Sequence, residues 1–280
     1  MLVPEPAYPE PWRWAYDVEA EVLEAAGFTI TPLPWAQAGD LSDFDAVLPL
    51  VVWGYHERYD AWLDLLDRLE SSGPKCINPP ALLRWNSDKA YLAQLDSQGV
   101  PTVHTIAVDA LDARTLADAR AQFGCEQLVV KPPVSASATG TFLLKADDAI
   151  PAEAAGRRML IQPFMARIAQ EGEYSLMLFD GRFSHAILKT PKSGDFRVQP
   201  HLGGSERPCP PPGGAEALAR AALAAAPENA VYARVDMVAD DAGDYRIMEL
   251  ELIEPALWLQ HAPDGGAGFA SAVRRAIEQP

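Results

Sequence analysis

Residues 232–252 read YARVDMVADDAGDYRIMELEL, and the pattern on either side of DDAGD decides the architecture around it. Apolar and polar residues alternate with period two before and after residues 240–244. That is the pattern of two half-buried strands joined by a tight turn. Folded about Ala242 and Gly243, the hairpin sets Asp236 opposite Glu249 and Arg234 opposite Glu251, all on one face. The other face carries Ala233, Val235, Met237, Met248, Leu250 and Leu252 and reads as core. Carboxylates directly opposite each other on a sheet repel. Grouped oxygen donors suit a hard cation such as magnesium, which commonly also takes oxygens from substrate phosphates. Asp236, Glu249 and Glu251 are therefore the candidate metal ligands, the alternative being a solvated acidic face.

The bulk composition narrows the function classes. The chain has 280 residues, 49% hydrophobic and 22% charged, enough apolar material for one large or two to three small soluble domains. Its formal net charge of −16 argues against general binding to nucleic acid or to an anionic membrane, both of which need a basic surface. The three cysteines, Cys76, Cys125 and Cys209, are far apart in sequence and match neither a metal site nor a disulfide framework. No signal peptide is visible at the N-terminus, and the longest apolar run, 46–53, is too short to span a bilayer. The expectation is a cytoplasmic protein, with a homodimer as a common soluble arrangement.

The segments upstream of the hairpin read as α/β. Residues 1–80 form a small unit, with a helix at 16–26 ended by Gly27 and a strand at 28–33. A continuous apolar strand of the parallel-sheet type follows at 45–53, then a helix at 59–70. Only Leu2 and Val3 remain for a first strand before a proline-rich stretch, so that strand is expected to be short or lost. After Pro79 and Pro80 come a helix at 87–98, strands at 103–108, 127–131, 142–145 and 159–164, and a helix at 112–123. Strands at 173–179 and 182–189 meet at an Asp180-Gly181 turn, and helices are expected at 215–226 and from Phe269. The division expected is 1–80, 81–165 and 166–280, α/β throughout and α+β in the last part.

Several charged positions fall near loops. Lys131 ends a strand that leads into residues 135–141, a loop with Ser135, Ser137, Thr139, Gly140 and Thr141. Such a loop can bring backbone N–H groups close to phosphate, with Lys131 as a point charge, or can be a plain surface turn. Lys89 lies at the expected helix start, where a solvated lysine is the ordinary case. Residues 188–204 make a basic loop in an acidic protein, with Lys189 and Arg197 as candidate clamps for phosphate or carboxylate. His56, His104, His185, His201 and His261 show no metal-ligand spacing, His201 being the best placed for a role. Trp53, Tyr55 and Tyr59 read as packing rather than as a ligand platform.

In their order, these segments from Asn78 to Glu254 resemble the ATP-grasp superfamily. The markers are Lys89, Lys131, the loop at 135–141, Gln162-Pro163-Phe164, Lys189 with Arg197, Arg234 with Asp236, and Glu249 with Glu251. The run from Asp195 to Gly204 looks like the glutathione synthetase and RimK branch. The stretches NPPAL, WNSDK and MELELIEP are similar to a sub-group of small bacterial ATP-grasp ligases that includes the cyclo-ligase of D-cycloserine biosynthesis. Glu251 departs from the usual Asn, Gln199 replaces an Asn, and the phosphate loop is poor in glycine. The resemblance implies an ATP-grasp fold preceded by a Rossmann-like domain. It also implies an ATP- and magnesium-dependent carboxylate–amine ligase that passes through an acyl phosphate, with two metal ions and manganese as a substitute. The substrate implied is a small amino acid or derivative, closed into a ring or joined to a second molecule. On this reading Arg234, Arg197 and Lys189 serve catalysis. Lys89, Lys131, Ser135, Ser137, Thr139, Gly140 and Thr141 hold phosphate. Gln162, Pro163 and Phe164 read adenine, and Glu173 takes the ribose. A nucleotide-binding protein without ligase activity, or a phosphotransferase or carboxylase on the same fold, are the alternatives.

Overall fold

The computed structural model describes residues 1–279, the side chains of Ser72 and His201 excepted. The chain opens with β1 (Leu2–Val3), α1 (Arg13–Ala25), β2 (Leu33–Pro34), β3 (Ala46–Val47), α2 (Tyr59–Ser72) and β4 (Lys75–Cys76). β1 runs parallel to β2 and β3 parallel to β4, and the Leu2 N–H donates to Leu48 O at 2.9 Å, joining the two pairs. The first strand is therefore present, though short. The strands expected at 28–33 and 45–53 shrink to two residues each. Proline explains both: it donates no ladder hydrogen bond, and Pro32, Pro34 and Pro49 interrupt these runs. Leu50, Val51 and Val52 stay buried without ladder pairing.

The expected helix at 87–98 is instead α3 (Pro80–Asn86) and α4 (Tyr91–Ser97). Between them Ser87 donates to Leu83 O, and Asp88 accepts from the Ala90 N–H. Short polar side chains bonding to nearby backbone compete with helix propagation. Lys89 thus sits in a turn and not at a helix start. β5 (Ile106–Val108), β6 (Leu128–Lys131), β7 (Phe142–Leu144) and β8 (Met159–Pro163) form an antiparallel sheet in the order β5-β8-β6-β7. α5 (Ala113–Phe123), capped by Asp112, packs Leu116 and Ala119 against Leu128, Val130 and Ile161.

The last sheet is built from β9 (Glu173–Phe179), β10 (Arg182–Thr190), β11 (Ser205–Cys209), β12 (Tyr232–Ala239) and β13 (Tyr245–Glu251), in the order β11-β10-β9-β12-β13. β11 is a strand the sequence pattern does not announce. A single turn, α6 (Ile168–Glu171), precedes β9, and one face of the sheet packs Leu176, Val235, Met237 and Leu250 against Ala215, Ala219 and Ala222 of α7 (Ala215–Ala224). The opposite face changes character along the strands. Met177, Phe179, Ile187 and Tyr232 join a core with α1, the segment after β3 and α8 (Ala267–Glu278). Two residues further along β9 and β12, the same face carries Ser175, Arg234 and Asp236. Among the described residues no helix is long and apolar enough to cross a membrane.

The hairpin register is the expected one at its acidic end: Arg234 pairs with Glu251 and Asp236 with Glu249. Beyond Asp236 a bulge shifts it by one, so Met237 pairs with Ile247. Ile247 then fills the core position expected for Met248, and Met248 turns to the cavity described below.

Glu19 on α1 is 2% exposed, and its Oε2 has no hydrogen-bond partner. Burial raises its carboxyl pKa well above the ordinary value, so the folded chain keeps a proton that the unfolded chain releases. Stability therefore falls as pH rises past the unfolded value. Glu19→Met is expected to raise the unfolding free energy at neutral pH by about 1–3 kcal/mol. It should also flatten the decline from acid to neutral pH in urea melts. An unchanged pH slope would mean that Glu19 is not the group responsible.

Candidate functional site

A cavity of about 730 Å³ lies against the charged face of the last sheet, with β6, β8 and the loop after β6 along its other side. Four cations and four carboxylates meet at its centre: Lys89, Lys131, Lys189 and Arg234 with Glu173, Asp236, Glu249 and Glu251. Strand pairing places most of them. Lys189 pairs with Glu173 across β10 and β9, Asp236 with Ser175 across β12 and β9, and Asp236 with Glu249 across β12 and β13.

The contacts form one network. Lys189 Nζ reaches Asp236 Oδ2 at 2.9 Å and also contacts Glu173. Arg234 Nε donates to Asp236 Oδ1 at 3.1 Å, and its terminal nitrogen contacts Glu251. Ser175 Oγ donates to Asp236 Oδ1 at 2.6 Å. Lys89 Nζ stands 3.1 Å from Glu249 Oε1 and donates to Ser135 O, while its backbone N–H donates to Pro133 O. Lys89 thereby ties the loop at 135–141 to β13. The Arg234 guanidinium lies over the Trp258 ring, 5.3 Å from its centroid.

Burial and charge shift these groups in different directions. Burial works to raise the Asp236 carboxyl, but Arg234 and Lys189 outweigh it and hold the group well below the usual range. Burial pushes Glu173 up to about 7 against the pull of Lys189, and Glu251 up to about 7 against Arg234. Lys131 is 8% exposed and has no ion-pair partner among the described residues, and burial lowers its pKa. A buried, unpaired ammonium facing a cavity is costly unless an anion meets it. Among the described residues no three acidic, histidine or cysteine side chains are gathered as a metal cluster. Asp236, Glu249 and Glu251 are each held by a lysine or arginine. Their donor chemistry and their adjacency across one strand pair nevertheless suit a hard cation.

The other expected positions divide. Ser135, Ser137 and Thr141 line the cavity, while Thr139 and Gly140 do not, and Thr139 is exposed. Ser137, Ala138 and Gly140 all have positive φ, so the loop turns sharply with one glycine. Gln162, Pro163 and Phe164 line the far end with Val129 and Met165. Gln162 donates to Thr105 Oγ1 at 2.9 Å, and the Phe164 N–H is taken by Gln127 O. Arg197 lines the cavity but folds onto its own loop, bonded to Asp195 at 2.9 Å, and does not touch the central network. The side chain of His201 lies outside the described residues. Trp53, Tyr55 and Tyr59 pack as expected, Trp53 against one core and Tyr55 and Tyr59 in another, and Trp53 and Tyr55 also line the cavity, as does His56.

Some residues escape the sequence reading. Ser175 is one, signalled only by a lone hydroxyl within the apolar run of β9. Asn86 is another. It donates to Leu250 O at 2.8 Å and accepts from the Leu252 N–H at 3.0 Å, and the Tyr91 hydroxyl accepts from the Leu250 N–H at 2.7 Å. β13 is the last strand of its sheet; residues 101–103 pair with it only at Ile247, and these side chains serve the backbone beyond. Asn78, with φ of 54°, clamps Tyr232 O and Leu252 O in the same way. Asn86→Ala should lower stability by about 1–3 kcal/mol. It should also accelerate exchange of the Leu252 amide more than that of core amides in β9. Unchanged hydrogen exchange at Leu252 would show that β13 is held by other contacts.

Comparisons with known proteins identify the family and the fold. The family model described as D-cycloserine synthetase DcsG, N-terminal domain, matches residues 2–78. The cycloserine biosynthesis protein DcsG of Streptomyces lavendulae is 31% identical over 287 residues, 92% of each chain. The crystal structure of D-cycloserine synthetase DcsG superposes with a TM-score of 0.86, at 29% identity and 99% coverage of both chains. The ATP-grasp ligase PsnB, complexed with a phosphomimetic variant of its minimal precursor, Mg and ADP, superposes with a TM-score of 0.65 at 16% identity, covering 98% of this chain and 97% of that one. At that identity PsnB speaks for the fold alone.

Proposed function

This chain belongs to the DcsG family of ATP-grasp ligases, and on that premise we propose how its cavity performs ATP-dependent carboxylate–amine ligation. The observation that carries the reading is the central set of four lysine and arginine side chains against four carboxylates, with Lys131 buried and unpaired. A triphosphate supplies the anion that Lys131 lacks, and Lys89 and Lys189 stand beside it. Adenine would enter between Gln162, Pro163, Phe164 and Val129, in the apolar end of the cavity. Glu173 would meet the ribose hydroxyls. Ser135, Ser137 and Thr141, in the loop that Lys89 anchors, would close over the phosphates.

Asp236, Glu249 and Glu251 would hold magnesium, two ions on this reading. Held there, magnesium would supply positive charge against the negative charge that builds on the phosphates during transfer. For that Asp236 and Glu249 must exchange Lys189 and Lys89, the lysines that reach phosphate, while Arg234 stays on Asp236 and Glu251.

The substrate carboxylate oxygen attacks the γ-phosphorus, the bond to the bridging oxygen breaks, and ADP leaves. The acyl phosphate formed is attacked at its carbonyl carbon by an amine nitrogen. The tetrahedral intermediate expels phosphate, and the nitrogen gives up its proton. Arg234, held rigidly by Asp236, Glu251 and Trp258, would stabilise the oxyanion of that intermediate with a preorganised charge. Arg197, swung from Asp195, would clamp the acyl phosphate with its planar fork. Closure of the loop would exclude water, to which an acyl phosphate is vulnerable. The substrate is a small amino acid or derivative, and ring closure within one molecule, as the name of the DcsG relative suggests, is the form favoured.

Calorimetric titration with a non-hydrolysable ATP analogue tests the site. Binding should require magnesium and be lost in Asp236→Asn. Asp236→Asn and Glu249→Gln should both abolish turnover with an unchanged circular dichroism spectrum, and ligation at the wild-type rate by either would refute the metal assignment. Arg234→Lys keeps the charge and loses the fork. It should still release ADP while amide yield falls by about 10²-fold.

A further inference from the structure

The proline-rich stretch that shortens the first strand has its own place in the cavity. Tyr8, Glu10, Pro11 and Trp14 line the end remote from the adenine pocket, together with Trp53 and Glu254. The rings of Tyr8 and Trp53 lie 6.4 Å apart at 57°, and those of Trp14 and Trp53 lie 5.8 Å apart at 51°. Three rings so inclined line a concave wall and cannot stack flat on one another. The Tyr8 ring rests on Gly54, which has φ of 86°, and a Cβ there would stand 3.1 Å from the ring. Trp14 is 50% exposed, the one large apolar side chain so exposed among the described residues.

Two acidic side chains at this end lack partners. Glu254 is partly buried and has neither a hydrogen bond nor an ion pair among the described residues, and Glu10 likewise has none; burial, and then the neighbouring Glu251, raises the Glu254 carboxyl to about 8. Each lines the cavity. Glu206, also on the wall, accepts from Trp258 Nε1 at 3.0 Å. The nearby cations, Arg234 and Lys89, are engaged by Asp236, Glu251 and Glu249. A carboxylate-bearing ligand end would meet Glu10 and raise the Glu254 carboxyl further, and a neutral apolar one would leave both acids without a cationic partner. An ammonium group satisfies both features, since aromatic faces and carboxylates each attract it.

We infer that Tyr8, Glu10, Trp14, Trp53 and Glu254 form the specificity subsite of this ligase, and that it receives a positively charged ammonium of the substrate. The inference rests on the ligase reading and names which substrate group its N-terminal segment selects. The carboxylate that is activated then lies toward Arg234 and the phosphates, and the ammonium points away from them. A substrate lacking the amine loses recognition at this end and not at the nucleotide.

The test uses the full chain saturated with ADP and magnesium, titrated calorimetrically with matched pairs. The pairs are D-serine and L-serine against D- and L-glycerate, and D-cycloserine against isoxazolidin-3-one, the same ring without its amine. At least one amine should bind about tenfold tighter than its partner. That preference should fall toward unity in Glu254→Gln and in Glu10→Gln, whose side chain is exposed and does not hold the fold. Trp14→Ala should weaken the amine and leave its neutral partner little changed. Equal binding of the neutral partners overturns the inference, as does a preference that survives both Glu variants. Failure of every pair on wild-type protein that does bind the ATP analogue also overturns it. Failure to bind the analogue at all refutes the ligase reading itself.

Discussion

Arg234, Asp236, Lys189 and Glu173 are buried together on the face of one sheet, and the rest of the molecule is arranged around that fact. Isolated, each charge would be too costly to bury; together, and tied to Ser175 and Glu251, they are mutually neutralised. Their spacing is set by the registers of β9, β10 and β12, which no surface loop can change. The same strands continue into Met177, Phe179, Ile187 and Tyr232, whose packing against α1 and α8 anchors the charged end. A continuous antiparallel sheet thus serves as core at one end and as a reactive floor at the other.

The weak point of this floor is β13, an edge strand that carries two of the three candidate metal ligands. Its outer backbone groups find partners in Asn86, Tyr91 and Asn78, all from the segment that joins the N-terminal unit to the central sheet. The joining segment therefore positions Glu249 and Glu251 as well as connecting two parts of the chain. Between α3 and α4, Lys89 reaches both Glu249 and the loop after β6.

Much of the site was legible in the sequence. The charged hairpin was, because period-two alternation and a glycine turn fix strand pairing locally, and the acidic end of the register follows directly. The order of lysines and carboxylates along the chain was legible for the same reason: all but Lys89 sit on a strand or at its end. The bulge after Asp236 was not, and it cost the placement of Met248. The broken strand at 45–53 had its cause in Pro49, a visible residue whose effect a run of apolar neighbours concealed.

Alternation, turn residues and composition determined by themselves an α/β chain with an acidic hairpin and a strongly negative net charge. Only the tertiary structure decided which side chains share a cavity. It brought Tyr8, Trp14 and Trp53 to one end of the cavity, kept Thr139 out, and left Arg197 on its own loop. The physical reason is the range of the forces involved. Strand pairing repeats every second residue and is written locally. A cavity is what remains after distant elements have buried their apolar faces, and its lining depends on contacts between residues hundreds of positions apart.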